Sequence, residues 1–97
     1  MSEQSRHQEL SMLAINIGFY MNSVAQQRSY NTPESCISYM NSTVPQWKSE
    51  ATAFNAWRDA CWLIIMPIIG ALQPDDPIPT IDDIVSQLPV IEWPVFG

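Results

Sequence analysis

Apolar residues recur every three to four positions along most of this chain, the period of α-helices packed on one face. Over residues 4–28, Leu10, Leu13, Ile17, Phe19 or Tyr20, and Val24 predict a first helix. Gly18 falls inside it, where glycine costs up to about 1 kcal/mol relative to alanine and marks either a close backbone approach or a bend. Thr32-Pro33-Glu34-Ser35 predicts the next helix start. Threonine caps free amides, proline suits the first helical position, and glutamate favours the positive end of the dipole. That short helix carries Cys36, Ile37, Tyr39 and Met40 and stops at Asn41-Ser42-Thr43. A third helix starts at Val44-Pro45 and presents Ala51, Phe54, Trp57 or Arg58, Cys61, Ile64 or Ile65, and Ile68 on one broad face. Ala53, Ala56 and Ala60 form a second face, small enough for a neighbouring helix to pack close. Pro67 is expected to end or kink this helix, because it lacks the amide donor and clashes with the preceding turn.

The pattern then changes. Residues 73–79, Gln-Pro-Asp-Asp-Pro-Ile-Pro, read as an extended connector. Thr80-Ile81-Asp82-Asp83 reads as a variant capping box opening a two-turn helix, with Ile81, Ile84, Val85 and Leu88 as its stripe and Pro89 as its stop. The ending, residues 90–97, is extended and strongly apolar. Left in water it would be a sticky liability, so it is expected to lie on this chain or on a partner. The fold expected is all-α: a small helical domain of three to four helices with an extended Pro-rich C-terminal tail. Residues 1–72 make the helical domain. Residues 73–97 are a connector, short helix and tail, belonging to the same domain or docking as an arm.

Composition bears on how such a domain is covered. With 97 residues the chain suits one domain, which buries only roughly 60–65% of its unfolded surface. It is 46% hydrophobic and only 14% charged, against roughly 25% in ordinary soluble domains. So few charges cover a monomer poorly, which predicts an oligomer or a bound partner. The net charge of −6 is uneven. Arg6, Arg28, Lys48 and Arg58 balance Glu3, Glu9, Glu34 and Glu50, whereas residues 59–97 hold six carboxylates and no lysine or arginine. Without a basic stripe, nucleic-acid binding through phosphates is disfavoured. The longest apolar run, Cys61 to Leu72, is too short to cross a membrane. The polar start MSEQSRHQEL has no apolar leader, so a cytoplasmic product with two reduced, packed thiols at Cys36 and Cys61 is expected.

Candidate chemistry is thin. The one histidine, His7, lacks companions at metal-ligand spacing, and three glycines make no phosphate-cradling loop. Asp75-Asp76 is explained by a turn and Asp82-Asp83 by a helix cap. No catalytic residue, metal or cofactor is therefore assigned, and the chain is not expected to be an enzyme. The distinctive stretch is residues 54–62, Phe-Asn-Ala-Trp-Arg-Asp-Ala-Cys-Trp. Arg58 and Trp62 are helical neighbours at i, i+4, so the guanidinium can stack on the indole. Two readings compete. Arg58 clamps a carboxylate of the acidic half, such as Asp82, Asp83 or Glu92, and so docks the tail. Alternatively this patch is a binding surface anchored by Trp and Arg. The candidate partner contacts are Trp57, Arg58, Trp62 and Ile65 on the third helix, and Ile91, Trp93 and Phe96 in the tail.

Arg28-Ser29-Tyr30, Cys36-Ile37-Ser38-Tyr39, residues 45–51 (Pro-Gln-Trp-Lys-Ser-Glu-Ala) and residues 56–62 (Ala-Trp-Arg-Asp-Ala-Cys-Trp) resemble a recurrent module of small tailed-bacteriophage proteins. These are encoded beside tail and tail-fibre genes. Residues 79–89 and the ending Ile91-Glu92-Trp93-Pro94 are similar to the same pattern, the ending also to tail-fibre assembly chaperones. The resemblance covers roughly residues 28–95 and departs at Leu63 to Ile69, where the family is more polar. It implies a phage tail-fibre accessory protein, acting as assembly chaperone or fibre-bound structural component. Its partner would be the tail fibre or another tail protein, met in the host cytoplasm during assembly, with retention in the virion tail one outcome. A structural tail or baseplate protein with no chaperone role is the alternative. An acidic inhibitor of a host defence complex is a further one, motivated by size and charge.

Overall fold

The computed structural model describes residues 3–95 as an all-α fold. Helix α1 spans Glu3–Gln26, α2 Pro33–Ile37, α3 Pro45–Gly70 and α4 Ile81–Val85, with a 3-10 turn at Ser38–Asn41 after α2. The two long helices run side by side and antiparallel, so the molecule is a rod of 53 × 20 × 19 Å. Leu13, Ile17, Met21, Val24 and Ala25 give α1 its buried stripe, and Ala51, Phe54, Trp57, Cys61 and Ile65 give α3 its own. Tyr20, and not Phe19, turns toward the core, where its ring lies 5.9 Å from that of Trp57. Ile84 of α4 is fully buried and closes the core from the C-terminal side.

The predicted caps are present. Thr32 Oγ1 accepts from the Ser35 amide at 3.0 Å with Pro33 in the first turn. Thr80 and Asp83 exchange the reciprocal pair of bonds of a capping box. Helix α1 ends two residues earlier than the apolar spacing implies. The Tyr30 amide reaches back to the Ala25 carbonyl (3.2 Å) and the Ser29 amide to that of Gln26 (3.0 Å), with Ser29 at φ 69°. This is a Schellman closure with serine where glycine is usual.

Pro67 does not end α3. The helix continues to Gly70, and the Pro67 carbonyl still accepts from Ala71 at 3.0 Å. The carbonyl that proline leaves without a partner belongs to Leu63, which is 76% exposed. On that side of the helix water can take the lost bond. The expected small-residue face is also only half covered: Ala53 and Ala60 are partly buried, but Ala56 is exposed.

Residues 73–95 pack along the helices. Gln73–Asp76 forms a turn, closed by the Asp76 amide on the Gln73 carbonyl (3.0 Å) and by Asp76 Oδ2 on the Gln73 amide (2.8 Å). Arg6 of α1 grips this turn through the carbonyls of Asp76 (2.6 Å) and Gln73 (2.7 Å). The last segment alternates. Ile91 and Trp93 turn inward, while Val90, Glu92 and Val95 face solvent.

Candidate protein-docking surface

The seven candidate partner contacts separate into three groups. Trp57 and Ile65 are core residues, 5% and 1% exposed, and are not surface anchors. They sit on the same helical stripe as Phe54 and Cys61, which faces the other helices. Trp57 carries its own tail contact: its Nε1 donates to the Pro89 carbonyl at 2.8 Å. Ile91 and Trp93 are half-buried on this chain, and Phe96 lies outside the described residues. Of the six described candidates, Arg58 and Trp62 line a surface that the described residues leave open.

The tail is held by an arginine, but a different one. Arg28, not Arg58, places its guanidinium 5.5 Å from the centre of the Trp93 ring. Trp93 Nε1 donates to Gln27 Oε1 at 3.1 Å, and its ring stacks on Phe54 at 6.1 Å. Arg28 also lies 3.7 Å from a carboxylate oxygen of Glu50, the one ion pair among the described residues. Glu50 is 3% exposed and accepts from the Tyr30 hydroxyl at 2.8 Å. A buried carboxylate is tolerated only when bonded in this way. Arg58 instead donates to Asn55 Oδ1 at 3.2 Å, one helical turn back. It lines a recess with Glu34, Gly18 and Phe19, and among the described residues it pairs with no carboxylate of the acidic half, so the expected clamp does not form.

Glu50, Gln27 and Arg28 were not among the candidates. Glu50 was legible in principle. It stands at the head of the α3 stripe 50, 54, 57, 61, 65, and a carboxylate on a core stripe demands a partner. Gln27 and Arg28 lie past the helix end, where no periodicity identifies them.

The open surface lies between α1 and α3. A groove of 390 Å³ runs between Leu10, Ala14 and Ile17 on one side and Trp62, Met66 and Ile69 on the other. It continues past Trp62 into a second recess of 370 Å³ bounded by Gly18, Phe19, Pro33 and Arg58. Its walls are unusually exposed for apolar side chains: Met66 66%, Phe19 64%, Ile15 48% and Trp62 36%. Gly18 fits this surface. A Cβ placed there meets nothing within 4 Å, so no described part of the chain uses the space. Ile15 and Phe19 fell off the core stripe of α1, at i and i+4 to one another. That second stripe was the signal for this face.

The thiols offer no chemistry here. Burial pushes Cys36 up to about 11, with the Glu50 charge adding to it, and burial alone pushes Cys61 up to about 11. Both thiols are unpaired, protonated at neutral pH and shielded from attack. Among the described residues no cluster of histidine, cysteine and carboxylate has metal-binding geometry, and no helix is long and apolar enough to cross a membrane. No family model, no curated protein and no solved structure matches the chain.

Proposed function

We propose that this chain is a protein-binding module without catalysis of its own, that the α1–α3 face is its docking surface, and that its partner is a phage tail-fibre subunit. One observation carries the docking part: an apolar groove, walled by Phe19, Trp62 and Met66, that no described segment of the chain covers. Contiguous exposed apolar surface of this kind is rare on monomers and marks interaction sites. The partner class rests on the resemblance of residues 28–95 to phage tail-accessory proteins. The departure of that resemblance at Leu63 to Ile69 includes Met66 and Ile69 of the groove wall, and their apolar character is consistent with a surface meant to be covered.

Co-expression with the tail-fibre subunit encoded beside it is the test. A retained complex is expected, and Phe19→Glu with Met66→Glu should lower recovery of that complex at least tenfold. A fibre that trimerises equally well without this chain, and never retains it, defeats the fibre assignment. Stoichiometric presence of the chain in purified virions would favour a resident structural part over a transient chaperone.

A further inference from the structure

We infer that the recess between the end of α1 and the start of α3 is a binding site for a neutral ring bearing several hydroxyls, the chemistry of a pyranose sugar. The recess measures 500 Å³, within the roughly 300–1,000 Å³ of small-molecule sites. It shares no lining residue with the α1–α3 groove. Gln46 and Trp47 stand four and three positions before Glu50 on α3, so one side of the helix presents all three. Tyr39 enters from the 3-10 turn, and Arg28 and Asn31 from the chain leaving α1. Glu50 is the unusual member. It is 3% exposed, and its Oε1 accepts from the Tyr30 hydroxyl at 2.8 Å. Its Oε2 has the Arg28 guanidinium at 3.7 Å, beyond hydrogen-bond length. Among the described residues no fully buried side-chain oxygen lacks a partner, so Oε2 is reached by solvent, through the recess that Glu50 lines. A nearly buried acceptor is thus held open to a donor from outside.

The lining selects the class of ligand. Trp47 is 45% exposed and Tyr39 37%, with ring centres 5.5 Å apart and planes inclined at 66°. Aromatic rings left half in water offer an apolar face to a ligand. Planes so inclined do not make the parallel slot that sandwiches a flat base. A puckered sugar ring needs only one aromatic face for its C–H groups. Arg28 and Glu50 are the charged residues among the described lining, and their charges cancel. A ligand cation at Oε2 meets the Arg28 guanidinium, and a phosphate at Arg28 meets the Glu50 carboxylate, so either is repelled at close range. A neutral ligand avoids both costs. One hydroxyl donates to Oε2, a neighbouring one accepts from Arg28, and the exposed amides of Gln46 and Asn31, each donor and acceptor, serve the others.

Saturation-transfer NMR of the full chain tests this, with the methyl pyranosides of glucose, galactose, mannose and N-acetylglucosamine as probes and with guanosine and methylammonium as competitors. At least one pyranoside should receive saturation and shift the Trp47 indole resonance, assigned from its loss in Trp47→Phe. Trp47→Ala, at an exposed position, should keep the helical circular dichroism and weaken that binding at least tenfold. Glu50→Gln keeps an oxygen for Tyr30 but sets a donor where Oε2 accepts, and should weaken it similarly. Should Glu50→Gln fail to fold, Trp47→Ala still decides. The inference is overturned if no pyranoside binds, if binding ignores Trp47→Ala or a folded Glu50→Gln, or if guanosine or methylammonium displaces the sugar at lower concentration.

Discussion

Glu50 is the residue on which the packing of the C-terminal segment turns. Its carboxylate is buried beside Phe54, which would be prohibitive without the Tyr30 hydroxyl and the Arg28 guanidinium. Through Arg28 the same charge reaches the face of Trp93, so one buried acid links the end of α1, the start of α3 and the tail. Truncating one partner of such a set leaves the other desolvated and unpaired. Tyr30→Phe should therefore cost about 1–3 kcal/mol in urea denaturation, although it removes a single oxygen atom. A change under a few tenths of a kcal/mol would show that the hydroxyl is dispensable to Glu50. Ser29, in the left-handed region beside this network, is tolerated because the helix end it closes satisfies two carbonyls.

At the scale of elements, the local rules hold where an element is short and exposed. The caps at Thr32 and Thr80 form as their side chains require, because capping depends on the next three residues and on little else. The long helices obey tertiary context. Pro67 is a helix breaker by every local criterion, yet α3 runs on to Gly70, its apolar C-terminal turns packed beside α1 and the connector. The helix thus carries an unmade bond that an ordinary residue would supply. Pro67→Ala should raise stability by about 1–3 kcal/mol, measured as a shift in denaturation midpoint with unchanged slope. A destabilised variant would mean that the proline geometry is itself needed for the close of α3. The arginine that docks the tail was misplaced by the same limitation. Helical spacing pairs Arg58 with Trp62, but it cannot report that residues past the end of α1 fold back toward Phe54.

At the scale of the whole molecule, several weakly acidic groups are buried together. Burial raises the thiols of Cys36 and Cys61, and burial raises Tyr20 and Tyr30, the latter reinforced by its bond to Glu50. A group held protonated in the fold favours the folded state only while the unfolded chain is protonated too. Above the ordinary thiol value of 9.0 the unfolded chain loses its protons first, so stability should fall as pH rises from 9 toward about 11. Denaturation midpoints at pH 7, 9 and 10.5 should show this decline, and a thiol reagent at pH 8 should label neither cysteine until the chain unfolds. Rapid labelling of the native chain would contradict the burial of both.

The sequence by itself determined the helical class, the starts of α2 and α4, the turn character of Asp75-Asp76 and the uneven charge. Each follows from a periodicity or from residues within a few positions of one another. It also carried the second apolar stripe of α1, though not its meaning, since a stripe is core or surface according to what lies across from it. Only the tertiary structure decided that Trp57 and Ile65 are interior, that Arg28 rather than Arg58 holds Trp93, and that Phe19, Trp62 and Met66 wall an open groove. Those outcomes depend on how two antiparallel helices rotate about their axes. That rotation is set by the summed packing of Tyr20, Phe54, Trp57 and Ile84, which no local spacing encodes.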